Sequence, residues 1–114
     1  MVILVNDNKI DINGHLIILN QKIIKVIEID NGSVLVLTDV PIGDDGLNNL
    51  FSYTKNGEFL WQIEPSDLQK EGQISHPYEG VNIVDGRYFV VDFYGRRIFF
   101  DPYTGLCLSR DVVK

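Results

Sequence analysis

Residues 48–65 read NNLFSYTKNGEFLWQIEP, and the fold class turns on them. Two β-prone runs flank Asn56-Gly57, a dipeptide suited to a tight hairpin because both residues accept positive φ. A two-residue turn there sets the register. Lys55 then faces Glu58, Tyr53 faces Leu60 and Phe51 faces Gln62 on one side of the ribbon. Leu50 with Ile63, Ser52 with Trp61 and Thr54 with Phe59 share the other. A sheet wetted on one side alternates cleanly between apolar and polar residues. This hairpin does not, so its strands are either covered on both sides or leave one aromatic side for a partner.

The same texture runs along the chain. Turn signals at Asn6-Asp7-Asn8, Asn13-Gly14, Asn31-Gly32, Asn56-Gly57, Asp85-Gly86 and Tyr94-Gly95, with DPYTG at 101–105, punctuate runs rich in β-branched and aromatic residues. Those runs are VILV (2–5), HLIIL (15–19), IIKVIEI (23–29), SVLVLT (33–38), VNIV (81–84), RYFVVDF (87–93), RIFF (97–100) and LCLSRDV (106–112). The one stretch compatible with a helical turn is PSDLQKEG at 65–72. The expected fold is all-β, an antiparallel meander of about eight to ten strands.

Aligning the turns exposes a duplication. IDNGSVLVLT matches IVDGRYFVVD with Gly32 over Gly86, and NLFSYTKNGEFL matches RIFFDPYTGLCL with Gly57 over Gly105. Leu50 then falls on Ile98, Phe51 on Phe99, Phe59 on Cys107 and Leu60 on Leu108. Each copy reads as a four-stranded meander of about 45 residues, the size of a propeller blade. The single domain divides into an N-terminal hairpin (1–21), a first blade-like repeat (22–64), a loop (65–78) and a second repeat (79–114). Two copies are too few for a ring, so a twisted sheet or half-barrel, half-propeller-like, is expected.

Bulk properties bound the function. A chain of 114 residues makes one domain able to bury a core without staples. Its 45% hydrophobic and 23% charged residues are those of a soluble globule. The single Cys107 cannot form an internal disulfide, the opening MVILVND lacks a secretory pattern, and no apolar run has the length of a membrane span. A cytoplasmic location is expected, with no membrane partner. The formal charge of −6 argues against direct nucleic acid binding and favours basic partners.

The blade pattern, LFSYTKNGEFLWQIE followed by RRIFFDPYTGLCLS, resembles propellers named for pyrroloquinoline-quinone enzymes over residues 31–109. That likeness implies fold only, since a quinone site needs a full ring. The order of features over 26–36, 49–63 and 101–105 also resembles a set of short bacterial proteins. Some of these are immunity proteins of contact-dependent growth inhibition systems. The resemblance implies a cognate toxin domain as partner, a basic nuclease such as a ribonuclease, bound one-to-one with its active site blocked.

The residues themselves offer little chemistry. His15, His76 and Cys107 have no zinc spacing, and GDDG (43–46) lacks the alternating ligands of a calcium loop. His76 with Asp67 or Glu79 has no accompanying nucleophile motif. No catalytic residue, metal, cofactor or small-molecule substrate is expected, and the chain is read as a non-enzyme. Arg87, Arg96 and Arg97 lie among Asp85 and Asp92, as cross-strand ion pairs would place them. The candidate partner-binding residues are acidic and aromatic: Asp39, Asp44, Asp45, Glu64, Asp67, Glu71 and Glu79 on two long loops, with His76, and Phe51, Tyr53, Tyr78 and Tyr94 as anchors. The rival reading is a self-associating structural or regulatory β module.

Overall fold

The computed structural model describes residues 1–40, 48–65 and 77–112, with Asp111 and Val112 described by backbone alone. These residues form eleven antiparallel strands in three sheets that do not close into a barrel, and no helix. The first sheet has three strands, β1 (Ile3–Asn6), β2 (Lys9–Ile12) and β3 (His15–Ile18). The central sheet is β4 (Ile23–Glu28), β5 (Val34–Thr38), β6 (Leu50–Tyr53) and β7 (Phe59–Gln62). The third is β8 (Gly80–Val84), β9 (Arg87–Val91), β10 (Arg96–Phe100) and β11 (Cys107–Val112). Each runs as a simple meander in chain order.

The two expected blade-like repeats are present as the four-stranded central and third sheets, and the N-terminal hairpin gains a third strand. The extra strand, KIDI, is short and lies between two tight turns. One of these, Asn13-Gly14, takes positive φ at both residues (52° and 86°), the signature of a type I′ hairpin. β2 also carries Ile10 and Ile12 into the core.

Alternation within the strands explains the stacking. Val34 and Val36 of β5 and Tyr53 of β6 pack with Ile10, Ile12 and Ile23, so this side of the central sheet lies on the first sheet. Leu35, Leu37, Leu50 and Trp61, on the opposite side, pack with Val81, Val90, Ile98 and Phe100 of the third sheet. All five residues of β5 are buried. The two-sided apolarity of residues 48–65 is that of a middle layer.

The hairpin register follows expectation through Phe51–Gln62 and Ser52–Trp61, then shifts so that Tyr53 pairs with Phe59 and Leu60 is left over. The turn is the cause. Asn56 keeps negative φ while Gly57 lies at 81°, and Gly57 N–H donates to the Thr54 carbonyl. This is a type I turn closed by a glycine bulge in place of the two-residue type I′ turn. Thr54 Oγ1 holds it by accepting from the Asn56 and Glu58 N–H groups. The duplication extends to this irregularity: in the third sheet Phe99 pairs with Ser109 and Phe100 with Cys107, skipping Leu108.

The repeats also dock alike. A Cβ on Gly57 would lie 2.8 Å from His15 Cβ, and one on Gly105 would lie 2.5 Å from Trp61 Cε3. Each turn glycine thus seats its hairpin against the preceding sheet.

Candidate functional site

Two long stretches of sequence connect β5 to β6 and β7 to β8. Asp44, Asp45, Asp67, Glu71 and His76 lie on them, outside the described residues. Their stems are well defined. Asn49, buried, donates from Nδ2 to the carbonyls of Thr38 (2.6 Å) and Tyr78 (2.8 Å), and its Oδ1 accepts from Tyr78 N–H (2.8 Å). One amide side chain therefore fastens the end of β5, the start of β6 and the approach to β8. Every hydrogen-bonding group of Asn49 that points inward is used.

Beside this clamp, Asp39 and Glu79 are both exposed and line one cleft of about 380 Å³ with Ile24, Val40, Pro77 and Tyr78. Their backbones are fixed from below: Asp39 N–H donates to the Lys22 carbonyl and Glu79 N–H to the Val91 carbonyl. Sequence neighbours of two different loops meet here because the clamp brings their stems together. The cleft offers two carboxylates beside the exposed side chain of Ile24, a combination suited to a basic surface with an apolar spot.

Other candidate residues take structural positions. Tyr53 is 7% exposed and Tyr78 2% exposed. Burial raises the Tyr53 phenol above its ordinary pKa. Phe51 packs half-buried against the cluster between the first and central sheets. Glu64 is half-buried, and its carboxylate accepts from Cys107 N–H at 2.9 Å while its carbonyl accepts from the Cys107 thiol. It joins the end of β7 to the start of β11. Tyr94 is exposed at the β9–β10 turn, in edge contact with Phe93.

The expected cross-strand ion pair is present within the arginine cluster between Arg96 and Asp92, which face each other across the β9–β10 turn. Arg96 binds Asp92 at 2.8 Å within one tight turn, and the Asp92 carboxylate also accepts the Tyr94 and Arg96 N–H groups. Arg87 instead lies 3.9 Å over the Phe99 ring, and Arg97 stands 5.2 and 5.3 Å from Phe89 and Phe99. Phe89 and Phe99 contact each other at 5.5 Å. This cation–π lid covers the outer side of the third sheet.

Among the described residues, no group of three or more His, Cys, Asp or Glu side chains is arranged to hold a metal ion. No helix there is long and apolar enough to cross a membrane. A family model described as a domain of unknown function, DUF7957, matches residues 1–112. The chain belongs to this family. No curated protein matches it.

In this DUF7957 chain, sequence reading missed two features. One is the outer edge of β3, which no strand pairs with among the described residues, hidden because β2 was not recognised as a strand. The other is Phe59, 59% exposed although it contacts Tyr53 at 5.8 Å. Its place in the duplicated pattern, opposite Cys107, was the available signal.

Proposed function

We propose that this chain is a non-enzymatic binding protein, an immunity protein that covers the active site of a basic toxin domain, a nuclease. The observation that carries this reading is the cleft in which Asp39 and Glu79 flank Ile24 at the stems of two acidic loops. A formal charge of −6 supplies long-range attraction toward a cationic nuclease surface, and the apolar spot supplies contact once the partner docks. Inhibition is steric and one-to-one. It requires no cofactor, metal or catalytic step from this chain.

The test is co-expression with the toxin domain encoded beside it. Growth should be restored, and the two proteins should elute together as a one-to-one complex. The double variant Asp39→Lys/Glu79→Lys should weaken that complex by at least about tenfold and flatten its salt dependence. Continued killing with no complex refutes the reading, as does a complex indifferent to both charge reversals.

Self-association is favoured by a different observation. Leu4, Leu16 and Ile18 are each more than 60% exposed on the side of the first sheet that faces away from the core. Sedimentation of the purified chain decides: a dimer lost on Leu16→Lys supports self-association, and a monomer that recruits the toxin domain refutes it.

A further inference from the structure

The first sheet stops one strand short of its neighbours. Packing between the sheets pairs strands in order: Ile10 and Ile12 of β2 meet Val34 and Val36 of β5, and Ile17 of β3 meets β6 through Tyr53 and Phe51 in the same cluster. Among the described residues, β7, the fourth strand of the central sheet, has no counterpart in the first. The third sheet shows what a counterpart does. There Cys107, in the position of Phe59, is half-buried against the central sheet, and β7 runs on to Glu64, which binds both its N–H and its thiol. Phe59, lacking such a strand, is 59% exposed.

The vacant position is bounded by a groove of about 380 Å³ whose walls include Ile18, Leu19, Phe51, Tyr53, Phe59 and Gln62. One wall is a strand edge. Asn13-Gly14 is a two-residue turn, so His15 and Ile17 exchange hydrogen bonds with β2, and Leu19 N–H continues that ladder to Asn8 at 2.8 Å. The N–H and C=O groups of Leu16 and Ile18 therefore point away from β2. Among the described residues no strand pairs with that edge. Asn48 also lines the groove, and its Oδ1 is buried without a hydrogen-bond donor among the described residues.

We propose that the β3 edge accepts an extended segment of a partner protein, which completes the first sheet as its fourth strand. Backbone groups of the segment bond to Leu16 and Ile18. Alternate side chains turn toward Phe59 and Tyr53. Among the described residues the groove lining is uncharged, with Phe59 and Tyr53 set beside amide side chains, so the inward side chains of the segment are uncharged, and apolar where they meet Phe59 and Tyr53. The inference rests on the proposed function only in taking the partner to be a protein.

The probe is a displayed library of random peptides of about ten residues, selected on the full chain. Captured peptides should alternate apolar residues and slow amide exchange at Leu16 and Ile18 by at least about tenfold. Phe59→Glu, at an exposed position, should weaken capture at least about tenfold, as should Ile18→Pro, which removes an edge N–H. Failure to select any peptide, unchanged exchange at Leu16 and Ile18, or equal capture by Phe59→Glu overturns the proposal. A dimer that Phe59→Glu dissolves overturns it too, because the occupant is then a second copy. Reversing Asp39 and Glu79 should leave peptide capture unchanged, so this proposal and the toxin reading fail on different variants.

Discussion

Gly57 and Gly105 make the stacking of sheets measurable, and Gly86 supplies the control. All three have positive φ, at 81°, 77° and 73°. Alanine at any of them therefore bears the left-handed strain of about 1–2 kcal/mol. They differ in what the new Cβ meets. At Gly86 nothing lies within 4 Å, whereas at Gly105 the nearest atom is Trp61 Cε3 at 2.5 Å. Carbon atoms prefer roughly 3.5–4.0 Å, so the indole or the turn must move by about 1 Å. Trp61 is 8% exposed and held edge-on by Phe100 at 6.0 Å. Overpacking at such a site costs about 1–3 kcal/mol. Gly105→Ala should therefore cost about 2–5 kcal/mol and Gly86→Ala about 1–2 kcal/mol. Gly57→Ala should fall between them, because its 2.8 Å neighbour is the Cβ of exposed His15 at the end of a strand.

Urea unfolding followed by far-ultraviolet circular dichroism, a signal that survives the loss of Trp61, measures these differences, with an unchanged slope confirming that stability alone has moved. A double-mutant cycle sharpens the attribution. In a Trp61→Leu background the extra cost of Gly105→Ala should shrink toward that of Gly86→Ala, giving a coupling of about 1–3 kcal/mol. Equal costs at Gly105 and Gly86, within about 0.5 kcal/mol, would refute the stacking of the β10–β11 turn on Trp61.

Two further predictions follow from the contacts between layers. Asn49→Ala removes three buried hydrogen bonds and strands the Thr38 carbonyl and both backbone groups of Tyr78, so it should cost about 3–5 kcal/mol by urea titration; a loss below about 1 kcal/mol contradicts the clamp. The Tyr103 hydroxyl donates to Asp30 at 2.7 Å, and that bond, followed by desolvation and the nearby charge, raises its pKa above the ordinary value. An unfolded chain ionises first, near about pH 10, so the contribution of this contact is present below that pH and is lost as pH rises through the raised folded value. Tyr103→Phe should flatten the alkaline fall in stability, and identical slopes for variant and parent refute the assignment.

The sequence carried the fold class through its glycines and its duplication. Every expected turn outside the undescribed loops is present, and the alignment of Leu60 on Leu108 anticipates that both are bulge residues. Two things were not legible for physical reasons. Asn-Gly fits both a type I′ turn and a type I turn with a glycine bulge. Asn13-Gly14 adopts the first and Asn56-Gly57 the second, decided by the Thr54 hydroxyl and not by the dipeptide. Depth was likewise hidden for tyrosine, whose amphipathic ring suits core and surface equally. Tyr53 and Tyr78 are buried, while Tyr94 is exposed. Of the acidic candidates, Asp39 and Glu79 could be brought together only by Asn49, a residue whose role depends on tertiary contacts across 29 positions.

A stack of repeats must finish at each end, since every sheet relies on a neighbour to cover one of its faces. The two ends of this stack are finished differently. At the third sheet, Arg87 and Arg97 lie over Phe89 and Phe99, and Phe99 retains only 4% of its exposure. The chain itself thus covers those two rings, while Leu108 of the same sheet is 68% exposed. At the first sheet, Leu4, Leu16 and Ile18 face solvent, no strand pairs with the β3 edge among the described residues, and Phe59 stands open beside it. Such a cluster of apolar side chains next to free backbone donors and acceptors is costly to leave exposed and prone to unwanted pairing. A β-protein under no other demand would blunt it with charge, as the third sheet does with arginine. Under the proposal above, the partner segment is what covers Phe59 and the β3 edge at this end of the stack.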